Sequence, residues 1–198
     1  MSKFDTLDLL LQKNNGYLKT SDAIEAGVSR AYFGEYVRKR DLMRIIHGLY
    51  KSKDAWDDEM YVILTRYPLA VFSHETALYL LNLSDRESTK YSLTLKAGTN
   101  ATGLTKQGVK VYKIKEELFD IGITEANSPA GHALRVYNPE RTICDLVRSR
   151  RNIEIQDFQT AIKEYVRSKE KNLPLLMRYA KHFSVDKIIR QYMEVLLL

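Results

Sequence analysis

The residues whose types and spacing most invite a chemical reading lie in three places. His74 and Glu75 begin like H-E-x-x-H, in which two histidines four apart on one helix face bind zinc and the glutamate serves as base. The fifth position here is Leu78, so the second ligand is missing. Arg141 and Asp145 are four apart on a stretch of helical pattern, which is the spacing of a structural ion pair rather than of an acid and a base. Cys144, the one cysteine, has Ile143 and Val147 for neighbours and reads as a small core residue. The four histidines, His47, His74, His132 and His182, are spread over separate elements and read as surface or capping residues. The chain holds no G-x-G-x-x-G and no Walker lysine loop. It has no acidic residue followed two positions later by lysine, as in restriction-type nucleases, and no Gly-Ser of the kind that precedes paired aspartates in polymerase-like nucleotidyltransferases. These residues describe a protein that is not an enzyme and uses neither metal nor cofactor.

The chemistry that remains is electrostatic. Between residues 29 and 53, seven cations, Arg30, Arg38, Lys39, Arg40, Arg44, Lys51 and Lys53, stand against two acids, Glu35 and Asp41. A compact basic patch suits a polyanion, because each neutralised phosphate releases counterions and adds affinity that does not depend on sequence. Taken alone, such a cluster is more commonly a solvated surface, so the elements that carry it decide its meaning.

Phe4, Leu7, Leu10 and Leu11 fall on one face of a helix from about Lys3 to Lys13, stopped by Asn14, Asn15 and Gly16. Tyr17 and Leu18 make a short extended link. Thr20 then offers an N-cap, with Asp22 in the first turn, for a two-turn helix that ends at Gly27. Ser29 caps the next helix, which runs to about Arg40 and turns Phe33 and Val37, with Tyr36 beside them, inward. At 100° per residue the opposite side carries Ala31, Gly34, Glu35 and Arg38, flanked by Tyr32 and Lys39. Small residues there would let the backbone approach a groove floor, Arg38 has the geometry to donate to guanine, and Glu35 could accept from cytosine. Gly34 is the informative one, since a mid-helix glycine costs roughly 1 kcal/mol against alanine. Leu42 to Ile46 and Leu49 to Tyr50, joined through His47 and Gly48, read as a hairpin that exposes Arg44 and His47, with Lys51 and Lys53 following, all set to touch phosphate or a minor groove. Helix, turn, helix and hairpin in that order are the outline of a winged helix-turn-helix.

With 198 residues and 44% hydrophobic content the chain can bury a core without staples. One cysteine excludes an internal disulfide framework, and no apolar run approaches the roughly 20 residues of a membrane helix. The N-terminus carries acids within its apolar pattern, unlike a signal peptide. The expected location is therefore the cytoplasm. Charge is uneven. Ten Lys and Arg stand against seven Asp and Glu over residues 1–56, ten against twelve over 57–147, and eleven against six over 148–198.

Beyond Trp56 the pattern changes. Residues 57–66 form a helix ended by Pro68, Leu69 to Phe72 is a short apolar piece, and Ser73 caps a helix with Ala77, Leu80 and Leu81 buried. Tyr91 to Lys96, Val109 to Lys115 and Ala133 to Tyr137 read as strands. Asn138 and Pro139 start a helix strongly, and helices follow over Ile155 to Arg167, Pro174 to His182 and Ser184 to about Leu197, the last with an apolar end through Leu198. The fold class is α+β: an N-terminal winged helix-turn-helix over 1–56, then a mixed domain over 57–198 with a small sheet packed with helices and a helical C-terminus.

The run GVSRAYFGEYVRKRDLMRIIHGLY, followed by FSHETALYLLNL and later YNPERTICDLV, resembles the AbiEi-type antitoxins of bacterial abortive-infection (type IV) toxin-antitoxin systems. The resemblance implies an autorepressor that binds double-stranded DNA at inverted repeats in its own operon promoter. It also implies an antitoxin against a nucleotidyltransferase-like toxin, acting without a stable complex, in a phage-resistance system. It carries over to Ser29, Arg30, Arg38, Lys39 and Arg44 as DNA-facing positions. Arg40 stands where the family often has glycine, and His47 where a wing arginine is common, a substitution that weakens a phosphate contact at neutral pH. Inverted repeats imply two copies on DNA, compatible with a monomer in solution. For the antitoxin surface the basic C-terminal helices, through Arg148, Arg150, Arg151, Lys163 and Arg167, are the best-placed group. Two rivals remain, a nucleic-acid-processing enzyme with a winged targeting domain and a protein-interaction module.

Overall fold

The structure, a computed structural model, describes residues 2–84 and 86–196. It divides into two compact units, one formed by residues up to Pro68 together with Asn127–Ala133, the other by Leu69–Ala126 with Leu134 onward. The first unit therefore runs past Trp56 and takes in a segment about sixty residues further along the chain.

In the first unit, α1 (Lys3–Lys13), α2 (Thr20–Glu25) and α3 (Arg30–Lys39) enclose Leu7, Leu18, Ala23, Val28, Phe33, Tyr36 and Leu42. Asn15 (φ 48°) and Gly16 (φ 85°) reverse the chain after α1, and a Cβ at Gly16 would stand 2.5 Å from that of Ala55. Tyr17–Lys19, expected as a link, is strand β1. It pairs antiparallel with β3 (Leu49–Lys51), which pairs in turn with β2 (Met43–Ile46), giving the order β1-β3-β2. Thr20 is not the N-cap of α2. Its amide donates to the Gly48 carbonyl at 2.8 Å, so the residue continues the strand ladder and the cap position falls to Lys19, with no side-chain bond. Ser29 does cap α3, accepting from the Tyr32 amide. After α3 the left-handed position is taken by Asp41 (φ 50°), with Leu42 N–H donating to Val37 O at 3.0 Å, so Arg40 at φ −90° needs no glycine.

Asp58 is the polar centre of this unit. It caps α4 (Glu59–Arg66) by accepting from the Tyr61 amide at 2.9 Å, accepts the Ser128 hydroxyl, and bonds His132 Nδ1 at 2.6 Å. His132 stacks on Tyr61 at 4.1 Å and meets Tyr17 edge-on, and its Nε2 reaches the Asn14 carbonyl at 3.1 Å. This is how residues 127–133 join the unit. His132 and His74 are 5% and 3% exposed, so neither is the surface residue its sequence context implied.

The second unit holds a five-stranded sheet of order β6-β5-β4-β8-β7, with β4 (Val71–Phe72), β5 (Ser92–Lys96), β6 (Lys110–Ile114), β7 (Ile123–Asn127) and β8 (Ala133–Tyr137). β4 runs antiparallel to β5 and parallel to β8, and β5 runs parallel to β6. β7 and the short helix α6 (Thr102–Lys106) lie between the strands expected from the sequence. The remaining helices are α5 (His74–Leu80), α7 (Glu116–Phe119), α8 (Pro139–Ser149), α9 (Ile155–Arg167), α10 (Leu173–His182) and α11 (Asp186–Leu196). The expected apolar end at Leu197 and Leu198 lies outside the described residues. Ser73 precedes α5 but makes no capping bond, because its hydroxyl is held by His74 and Thr94.

α8 is the spine. Every residue from Glu140 to Val147 is buried, charges included. Arg141, 0% exposed, donates from Nε to Asp145 at 2.9 Å and from Nη1 to the carbonyls of Leu118 and Ile121, and lies between the rings of Tyr137 and Phe183. A buried cation is tolerated only with such a set of fixed partners.

Burial pushes the Asp58 carboxyl up, but the bonds from His132, Ser128 and the Tyr61 amide outweigh it and hold the group below the usual carboxylate range. A depressed carboxyl adds stability that is complete above its unfolded value, about pH 4, and is lost as pH falls through the folded one. Hydrogen exchange followed by mass spectrometry should show segment 127–133 losing protection as pH falls below about 4, with no such step in Asp58→Asn. The same step in both proteins would remove Asp58 as its source.

Candidate nucleic-acid interface

Amphipathicity fixes which way α3 faces. Phe33 and Tyr36 are buried, Val37 is half-buried, and Phe33 packs edge-on against Tyr50 at 5.3 Å. Tyr36 donates to Asp8 at 2.6 Å, and Phe4 lies edge-on to both Tyr36 and Tyr32. The side turned away carries Ser29, Arg30, Ala31, Arg38 and Lys39 exposed, with Gly34 and Glu35 partly so. A Cβ built at Gly34 meets no atom within 4 Å, so packing within the chain does not demand glycine there. Tyr32 is half-buried, leaning on Phe4 with the Lys3 ammonium 5.6 Å from its ring.

The seven cations expected on this surface separate into three kinds. Among the described residues Arg30 and Arg38 make no ion pair. Arg44, exposed on β2, holds only His47 Nδ1 at 2.9 Å, so the two wing candidates lie together on the hairpin. Lys39, Arg40 and Lys53 are exposed but paired, with Glu35 at 3.2 Å, Asp8 and Asp41 respectively. The helix pair is thus Glu35 with Lys39, which leaves Arg38 without an acid among the described residues. Exposed pairs of this type contribute at most about 1 kcal/mol and exchange partners readily. Lys51 is a correction. It is 5% exposed, with its ammonium on Asp57 and the Ala55 carbonyl at 3.1 Å, and it does not reach the surface expected of it. Its alternation in β3 puts Leu49 and Lys51 on the buried face and Tyr50 between them.

The second expected surface is divided. α8 and α9 run antiparallel, since the Tyr165 hydroxyl near the end of α9 donates to Glu140 at the start of α8, at 3.1 Å. Arg148, Arg150 and Arg151 consequently sit at one end of the helix pair, and Lys163 and Arg167 at the other, roughly 15 Å apart at 1.5 Å per residue. Arg167 is paired with Glu164, and Arg150 donates to the Val147 carbonyl. The five do not make one patch.

No arrangement among the described residues activates a nucleophile in the first unit. Ser128, His132 and Asp58 have the composition of a hydrolase triad but not its connectivity. Serine and histidine both bond the carboxylate, and the far nitrogen of the ring is on a backbone carbonyl. In the second unit Cys144 is fully buried, and burial pushes its thiol far above the ordinary range. No group of three or more His, Cys, Asp or Glu among the described residues is placed to hold a metal ion, and no helix among them is long and apolar enough to cross a membrane.

No family model and no curated protein matches the sequence. A solved structure, the crystal structure of the RV2827C protein from Mycobacterium tuberculosis, is similar in fold, with a TM-score of 0.54 at 14% identity over 91% of this chain and 72% of that one. At that identity the likeness concerns the α+β fold alone.

Lys51→Met separates the buried lysine from the exposed cations. Loss of its hydrogen bond should cost about 1 kcal/mol in denaturant unfolding and leave affinity for a DNA duplex within about twofold at low salt. A loss of tenfold or more, the scale of a lost phosphate contact, would return Lys51 to the interface.

Proposed function

We propose that the first unit is a winged helix-turn-helix that reads double-stranded DNA, with α3 in the major groove and the β2 and β3 hairpin as the wing along the backbone. The observation that carries this reading is the outward face of α3. Arg30, Ala31, Gly34 and Arg38 lie on the side opposite the buried Phe33 and Tyr36, with two arginines free of ion pairs among the described residues and no internal reason for the glycine. A helix N-terminus capped by Ser29 and a hairpin arginine, Arg44, add backbone contacts of the usual kind. On this reading Arg38 donates to a base edge, and Arg30, Lys39, Arg40, Arg44 and His47 face phosphate.

The wider function rests on the resemblance to AbiEi-type antitoxins: a cytoplasmic autorepressor acting at inverted repeats, two copies to a site, and an antitoxin whose second unit counters a nucleotidyltransferase-like toxin without a stable complex. Among the described residues of the first unit, Ser128, His132 and Asp58 are wired as a brace and not as a catalytic triad, in keeping with a binding role.

Binding to the promoter inverted repeat and to random duplex tests the reading. Arg38→Ala should lose about 1–3 kcal/mol on the specific site and little on random DNA, and Lys39→Ala should lose equally on both. Gly34→Ala should stabilise the fold by about 1 kcal/mol while weakening specific binding, because the added methyl stands where a groove floor approaches. Equal losses on both DNAs for Arg38→Ala, or unchanged binding for Gly34→Ala, would contradict this placement of α3.

A further inference from the structure

His74 takes no part in the DNA reading, and its setting in the second unit is unusual. Its φ of 50° lies in the left-handed region that a non-glycine residue enters rarely, and such conformations gather where a ligand is held. The ring is stacked on Tyr112 with centroids 3.4 Å apart, Nδ1 is 3.0 Å from the Ser73 hydroxyl, and Nε2 is 3.1 Å from that of Ser149. Burial first, and then the positive charges of Lys110, Arg141 and Arg148, hold the imidazole well below its usual range, so the ring is neutral. A neutral ring accepts at one nitrogen and donates at the other.

The Thr94 hydroxyl donates to Ser73 at 2.9 Å. The assignment that gives every group a partner then runs from Ser73 to Nδ1 and from Nε2–H to Ser149, which leaves the Ser149 proton free. His74, Thr94, Tyr112, Asp145, Arg148 and Ser149 line a cavity of about 140 Å³, and Lys113 and Ile114 complete its wall. One water needs about 10–15 Å³, so there is room for a tetrahedral anion and several waters.

The charges of this region leave cations in excess: Lys113, exposed on the cavity wall, has no ion pair among the described residues, and Arg148 is only loosely held. Lys110 is paired with Glu75 at 2.8 Å and Arg141 with Asp145 at 2.9 Å. Arg148 has only the far side of the same Asp145, at 3.4 Å, and its side chain is 37% exposed. A monocarboxylate would merely exchange with Asp145 for that guanidinium. A phosphate group brings nearly twice the charge and three acceptor oxygens, which suits the planar fork of an arginine and an adjacent hydroxyl donor.

We propose that the cavity beside His74 is a phosphate-binding site, in which Arg148 and the Ser149 hydroxyl hold a phosphate dianion or the phosphate of a small monoester, and His74 orients Ser149. The site is independent of the DNA reading of the first unit and gives Arg148 a role separate from Arg150 and Arg151.

Calorimetric titration of the full chain with inorganic phosphate, adenosine monophosphate and acetate tests it, with circular dichroism melts to check each variant. Wild-type protein should bind phosphate. Arg148→Gln should weaken it at least tenfold and Ser149→Ala severalfold, with the melts unchanged for the exposed Arg148. The His74 ring resonances should shift on phosphate addition in the wild type and not in Arg148→Gln. Tighter binding of the monophosphate than of inorganic phosphate would identify a monoester as the ligand, and weaker binding would identify free phosphate; both fit the site. Absence of phosphate binding, binding unaffected by Arg148→Gln, or acetate binding as tight as phosphate would each overturn the proposal.

Discussion

A charge withdrawn from water has to be answered by fixed dipoles or an opposite charge, and each unit of this protein is arranged around one such answer. In the first it is Asp58. Its carboxylate takes the helical amide of Tyr61, the Ser128 hydroxyl and the His132 ring, and its own amide donates to the Tyr17 hydroxyl. Three segments distant in sequence meet on one residue. In the second it is Arg141, whose guanidinium is divided among Asp145 and the carbonyls of Leu118 in α7 and Ile121 just after it, while its plane lies over aromatic rings. The turn after α7 is brought so close that a Cβ at Gly122 (φ 79°) would stand 2.6 Å from the Arg141 Cβ. Replacing one partner in either arrangement strands the other in the interior, which is why these polar groups act as specifications of the fold rather than as ornaments on it.

The same principle sorts the surface cations of the first unit. Those with a local acid, Lys39, Arg40 and Lys53, add positive potential but are partly neutralised, and Lys51 is drawn inside by Asp57. Arg30, Arg38 and Arg44 remain for an outside partner, two on α3 and one on the hairpin. A count of basic residues in the sequence exaggerates the interface, whereas the pairing pattern concentrates it on a narrower strip.

What the sequence made legible was what depends on near neighbours. α1 over Lys3–Lys13, the Ser29 cap of α3, the hairpin around Gly48 and the Asn138 and Pro139 start of α8 follow from periodicity and cap chemistry within a few residues. The pairing of β1 with β3 was not legible, because Tyr17 and Lys51 are thirty-four positions apart and three residues carry no alternation to read. Nor could local pattern assign 127–133 to the first unit, since that depends on Asp58 and His132 meeting across the chain. Among site residues, the outward face of α3 came directly from helical geometry. The pairings of Asp8, Asp41 and Asp57, which help decide which cations stay free, were not legible because each acid reaches its partner through the fold. His74 was noticed only as half of an absent zinc motif, and its left-handed backbone and Ser149 partner belong to tertiary structure alone.

We propose that exposed cations on α3 and the hairpin meet DNA phosphate. The salt dependence of wild-type binding to its promoter DNA tests that most directly. About four phosphate contacts per copy, from Arg30, Lys39, Arg40 and Arg44, predict that log K falls linearly with log salt concentration at a slope of about −3 to −4. A slope near zero, or no binding at low salt, would contradict the account.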